Sequence, residues 1–133
     1  MRKLIAIAAL GIALTGFAVV PAAAQSVGQD AVVAACSGPN ASADDCSAAV
    51  ALFVASVRSL PAAQKDAQLA ALVVALANSG SPATQAIVAE AIETVAVEFT
   101  DPTRAAAAIE IAEAVSIGAE IDAVSVQTLA SPS

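Results

Sequence analysis

Three prolines cut the C-terminal half of this chain into segments of helical length. Pro61, Pro82 and Pro102 stand 21 and 20 residues apart, and each is suited to the first turn of a helix, where a missing backbone N–H costs nothing. Ser81 before Pro82 and Asp101 before Pro102 are N-cap residues, and Gly118 is placed to close the last of these segments as a left-handed C-cap. Between the prolines the apolar residues recur at helical spacing. Leu69 to Ala77 is an unbroken apolar run, too short to cross a bilayer, and is expected to be the most buried helix. Val88, Ala91, Ile92, Val95 and Phe99 form one stripe, with Glu90 and Glu93 turned away from it. Ile109, Ile111, Val115 and Ile117 spread more widely round a further helix and leave Glu110 and Glu113 as a narrow polar strip.

Upstream, Ser42 with Asp45 three residues on resembles a capping box, and Asp44 and Asp45 suit the positive end of a helix dipole. A helix is expected from Ala43 to Arg58, with Cys46, Val50, Phe53, Val54 and Val57 on its apolar face. Ala31 to Cys36 is expected to form a short helix stopped by Gly38-Pro39, after a loose polar stretch over 25–30. The end of the chain is ambiguous. Val124 to Leu129 fits a short helix or, by its alternation, an extended strand, and residues 130–133 read as a frayed tail. Counted from each proline, the thirteenth following residue is Val74, Val95 or Val115 and the fifteenth is Leu76, Val97 or Ile117, a weak repeat that alanine-rich helices of ordinary length also produce by chance.

The fold expected is therefore all-α: a small four-to-five-helix bundle, or two packed helical hairpins, over 25–129, with one N-terminal disulfide. Cys36 and Cys46 are the only cysteines of the chain. Their spacing is unlike that of catalytic dithiols, and Asp44 and Asp45 beside Cys46 would raise its thiol pKa, so the pair reads as a structural staple. A staple is useful here. The chain is 59% apolar but rich in alanine, which buries little area, and Phe53 and Phe99 are the only aromatics after residue 24.

The first 24 residues are an address. Met1-Arg2-Lys3 is a positive start, Leu4 to Val20 is uncharged and apolar, and Pro21-Ala22-Ala23-Ala24 presents small residues before Gln25. That pattern is a secretory signal peptide cut between Ala24 and Gln25. The expected product is a periplasmic or secreted protein with no stable membrane insertion after cleavage. All twelve acidic residues but only three of the five basic ones follow the cut, so the mature chain is nine charges negative. Such a charge repels phosphate backbones and disfavours nucleic acid as a partner.

Nothing in the residues points to catalysis. There is no histidine, tyrosine or tryptophan, no serine in a Gly-x-Ser-x-Gly setting, and Lys65, the one mature lysine, is expected at an exposed helix start beside Gln64 and Asp66. The expectation is no enzyme, no cofactor and no metal. Glu90, Glu93, Glu110 and Glu113 are weak candidates for a hard cation should their helices pair, but solvated helix faces explain them better. The leading function expected is contact with another protein, such as one of the cell envelope, through an apolar helix face or groove. The oligomeric state is left open, and a carboxylate-based cation-binding protein or an acid-responsive holdase is the alternative.

Overall fold

The structure, a computed structural model, describes residues 20–130, with side chains from Gly28 onward. The described chain is all-helical: α1 (Val20–Ser37), α2 (Ala43–Val57), α3 (Ala62–Ser79), α4 (Gln85–Ala96), α5 (Pro102–Ser116) and α6 (Ala123–Ala130). The expected helices are present, with corrections at their edges. The polar stretch over 25–30 is helical, so the short helix ending at Cys36 is the last third of α1. Glutamine, serine and aspartate tolerate helix interiors, and no proline interrupts the chain between Pro21 and Pro39. The strand alternative for 124–129 is replaced by α6, whose first turn is held by Asp122 Oδ1 accepting from the Val124 N–H at 2.9 Å. Ala130, assigned to the tail, is the last residue of α6.

The caps explain where the helices begin and end. Ser42 Oγ accepts from the Asp45 N–H at 3.1 Å, one half of the capping box. Asp101 accepts from the Thr103 N–H at 2.9 Å and starts α5 at Pro102. Gly118 sits at φ 70°, with its own N–H donating to Val115 O at 3.1 Å and that of Ala119 donating to Ala114 O at 2.8 Å. Those two bonds are a complete Schellman motif, and a side chain at 118 would strain it. At Gly38 the constraint is space: a Cβ there would stand 2.5 Å from Ala34 O. Ser81-Pro82 opens a single tight turn rather than α-helix. The Thr84 N–H bonds back to Ser81 O, Thr84 Oγ1 accepts from the Ser81 N–H, and α-helical geometry starts at Gln85.

Contacts between helix ends fix the topology. Ser37 Oγ donates to Ser79 Oγ at 2.9 Å, bringing the C-termini of α1 and α3 together. Gln85 Nε2 donates to Ser116 O at 3.1 Å and adds the start of α4 and the end of α5. At the opposite end, Arg58 after α2 meets Glu98 after α4, and Asp66 near the start of α3 meets Thr100 and Asp101 before α5. Successive helices therefore run up and down. The side chains of Cys46, Val50, Phe53, Val54 and Val57 on α2, Leu69, Leu72, Val73 and Leu76 on α3, and Val88, Ile92 and Val95 on α4 enter one core. α5 adds Ala107, Ala108, Ile111, Ala112 and Val115, and α6 adds Leu129.

The most buried helix is α4 rather than α3. Six of the 12 residues of α4 are buried, against six of the 18 in α3. α3 has an outer face of Ala67 and Ala71, small enough that an apolar run does not require a buried one. The proline-anchored repeat extends to environment at one of its two positions only: Val95 and Val115 are buried and Val74 is half-buried, whereas Leu76 is buried and its counterparts Val97 and Ile117 are each about three-quarters exposed.

Candidate functional site

The Cys36–Cys46 disulfide forms, with the sulfur-bearing residues 0% and 3% exposed. It joins the last turn of α1 to the first turn of α2, at positions 36 and 46 rather than at the N-terminus. A buried disulfide of this kind belongs to an oxidising compartment, and no helix among the described residues is long and apolar enough to cross a membrane. The residues of the expected signal peptide before Val20 lie outside the described chain. The backbone of α1 runs through Ala24 and Gln25, where cleavage is expected.

The four candidate cation ligands do not assemble. Glu90, Glu93, Glu110 and Glu113 are exposed, and Glu110 Oε1 accepts from Ser125 Oγ at 2.8 Å, which ties α5 to α6. Among the described residues no group of three acidic or sulfur side chains is arranged to hold a metal ion.

The structure instead buries two charged side chains, one of them Asp66 at the helix start expected to be exposed. Asp66 is 3% exposed and Arg104 is 7% exposed. Asp66 Oδ1 accepts from the Thr100 N–H at 3.0 Å, while its Oδ2 accepts from Thr100 Oγ1 at 2.8 Å and the Asp101 N–H at 3.2 Å. One carboxylate thus satisfies two backbone donors and a hydroxyl in the connection between α4 and α5. A cavity of about 400 Å³ beside it is lined by Ala62, Ala63, Asp66, Thr100, Asp101, Pro102 and Arg104. Every bond recorded for Asp66 goes to the chain's own connection, which makes the cluster a fastening. Its signal was available in the spacing: Asp66 stands three and seven residues before Leu69 and Val73, and Arg104 three and seven before Ala107 and Ile111, so both lead a buried stripe.

The apolar stripe through α4 is not available for contacts. Val88 and Phe99, the natural candidates on the α4 stripe, are 0% and 8% exposed and belong to the core. Apolar surface is left elsewhere, between α1, α3 and α6. There Gln29, Ala67, Ala70, Ala71, Val74, Ala75, Leu129 and Ala130 line a groove of about 470 Å³. Its floor combines buried Ala70 and Leu129 with half-buried Val74 and Ala75, and its walls are exposed Ala67, Ala71 and Ala130. Among the described lining residues Gln29 alone is polar.

The chain matches no family model, no curated protein and no solved structure.

Proposed function

We propose that this is a non-enzymatic exported protein, processed after Ala24 into the periplasm or beyond, that acts by contact with another protein. The observation that carries the reading is the aliphatic groove between α1, α3 and α6. Alanine walls let a partner backbone approach α3 closely, and of the described lining residues all but Gln29 have nothing to offer but apolar area. Such a lining suits recognition by shape and burial, not by chemistry. The mature chain's nine net negative charges oppose pairing with a second copy and favour a partner of opposite sign.

The test is crosslinking of intact cells that express the full-length precursor with a C-terminal tag, followed by recovery of adducts from the envelope fraction. A saturable, discrete adduct supports the reading. A mature protein that stays monomeric, binds no hydrophobic dye and retains no envelope protein overturns it.

A further inference from the structure

At eight residues α6 is the shortest of the described helices, below the length at which a helix holds without tertiary support. Its packing must therefore hold it. Ser125 and Leu129 are its buried residues, Val126 and Thr128 are half-buried, and Ala123, Val124, Gln127 and Ala130 are exposed. One of the two buried residues is polar, so Leu129, at 0% exposure, is the single large apolar side chain that α6 buries fully. By contrast α4 buries six of its 12 residues.

The two neighbours of α6 hold it unequally. On the α5 side Ser125 Oγ donates to Glu110 Oε1 at 2.8 Å. Toward α3, among the described residues, no hydrogen bond joins the helices, and two hollows interrupt the contact. One is the groove of about 470 Å³, where Leu129 and Ala130 stand with Ala70, Ala71 and Val74. The other, of about 240 Å³, brings Ala119 and Ile121 of the lead-in together with Ala77 and Gly80. The lead-in itself has room to turn. Gly118 ends α5 at φ 70°, and residues 119–122 have no regular structure, with Ala119, Glu120 and Asp122 exposed. The cap of α6 comes from Asp122 in that same connection, so it does not tie the helix to the rest of the bundle.

We infer that α6 is a strap that opens as a unit about residues 118–122 while α1 to α5 stay folded. Opening is least costly where few apolar side chains are buried and much backbone faces water, and among the described helices α6 fits that description. With the strap open, Leu129 leaves Ala70 and Val74, and the two hollows merge into one trough along α3 from Ala67 to Ala77. The closed strap thus limits the apolar surface on offer, and its displacement uncovers the rest. That consequence rests on the contact function proposed above, whereas the opening of α6 does not.

The experiment is amide hydrogen exchange of the protein with its disulfide formed, followed residue by residue by NMR in rising, sub-denaturing urea. Val126 to Ala130 should exchange at least about a hundredfold more readily than Val88 to Val95, with one shared protection factor and one shared urea slope. Ser125→Ala, which removes the bond to Glu110, should raise exchange in α6 about fivefold. Ile92→Val should raise exchange in α4 by a similar factor of about five and leave α6 unchanged, because Ile92 is packed whether the strap is open or closed. Three results overturn the inference. Protection in α6 equal to that in α4, with Ile92→Val speeding both alike, makes α6 part of a single cooperative unit. Protection that falls stepwise toward Ala130 without a urea slope is end fraying. No protection anywhere in α6 means that it does not close.

Discussion

The two ends of the bundle solve the same problem, holding helix termini together, with different chemistry. At the end where α2 and α4 finish and α3 and α5 begin, the balanced end, Arg58, Lys65 and Arg104 stand with Asp66, Glu98 and Asp101. There the work is done by charge: Asp66 collects three donors from the α4–α5 connection, and Arg58 pairs with Glu98 at 2.9 Å. At the other, acidic end, which carries Asp44, Asp45, Glu113, Glu120 and Asp122, it is done by the disulfide, the Ser37–Ser79 hydroxyl pair, the Gln85–Ser116 bond and the Schellman turn at Gly118. Fastenings of the second kind consume little charge, so most carboxylates there remain facing water. The difference separates acids that are part of the architecture from acids that are available to a partner, a distinction that composition alone does not make.

The largest test of that distinction is Asp66→Ala. It removes a carboxylate that accepts from two backbone N–H groups and a hydroxyl. A hydrogen bond to a charged group is worth about 1.5–3 kcal/mol when well buried, and because Thr100 is exposed its freed donors can turn to water. A loss of about 2–3 kcal/mol by denaturant unfolding is therefore expected. In a domain of this size that lowers the melting midpoint by roughly 4–8 °C for each kcal/mol. A loss below about 1 kcal/mol, no more than an exposed acid would give, would mean that the balanced end does not depend on its charge.

Next comes the covalent fastening of the other end. Cys36 and Cys46 are separated by 10 residues, and closing a loop of that length restrains the unfolded chain by about 2–3 kcal/mol in the chain-entropy model. Cys36→Ala with Cys46→Ala should lose that amount relative to the oxidised protein, and reductant should lower the melting midpoint of the parent but not of the double variant. Because both cysteines are buried, reduction should follow unfolding rather than precede it. A rapid loss of the disulfide under native conditions would show that this end opens locally.

Most of the architecture was legible because helix boundaries are written in local chemistry. Ser42, Asp101 and Gly118 act at the positions their residue types suggest, and the stripes on α2 and α4 are the faces that enter the core. What escaped was non-local. The place of Asp66 at the head of the α3 stripe hints at burial, but its partners Thr100 and Asp101 lie over thirty residues away and no local pattern names them. The length of α1 escaped for a different reason: a polar stretch with few helix breakers is neutral by propensity, and packing against α2, α3 and α4 supplies the rest. The groove is likewise a property of assembly, since Ala67, Ala71 and Leu129 share no pattern until α3 and α6 are adjacent.

One acid crosses the division. Asp122 belongs to the acidic end by position, yet its Oδ1 caps α6 through the Val124 N–H. Asp122→Ala should cost about 1 kcal/mol, the usual loss of a helix cap, whereas Glu120→Lys two residues away should change stability by less than about 0.5 kcal/mol. Thermal melts of the two variants side by side measure the contrast. Equal losses would show that Glu120 too is architectural.

The smallest effect belongs to Arg58 and Glu98. The hydrogen bond from Arg58, aided by its positive charge and that of Lys65, outweighs the partial burial of Glu98 and lowers its carboxyl pKa. The same bond, with the charge of Glu98, raises the pKa of Arg58. A depressed folded-state pKa means that Glu98 contributes stability above its unfolded pKa and loses it as the pH falls through the lower folded value. The raised pKa of Arg58 contributes stability that is lost only at strongly alkaline pH. Between neutral pH and mild acid the pair should therefore act through Glu98 alone. Arg58 is 61% exposed, and water and salt screen such a pair heavily. Glu98→Gln should match the parent's melting midpoint at high salt and differ from it slightly at low salt and neutral pH, with the difference vanishing in acid once the parent's Glu98 is itself protonated. A difference that persists unchanged in high salt would show the pair to be shielded from solvent, and the balanced end to be fastened by charge at two sites instead of one.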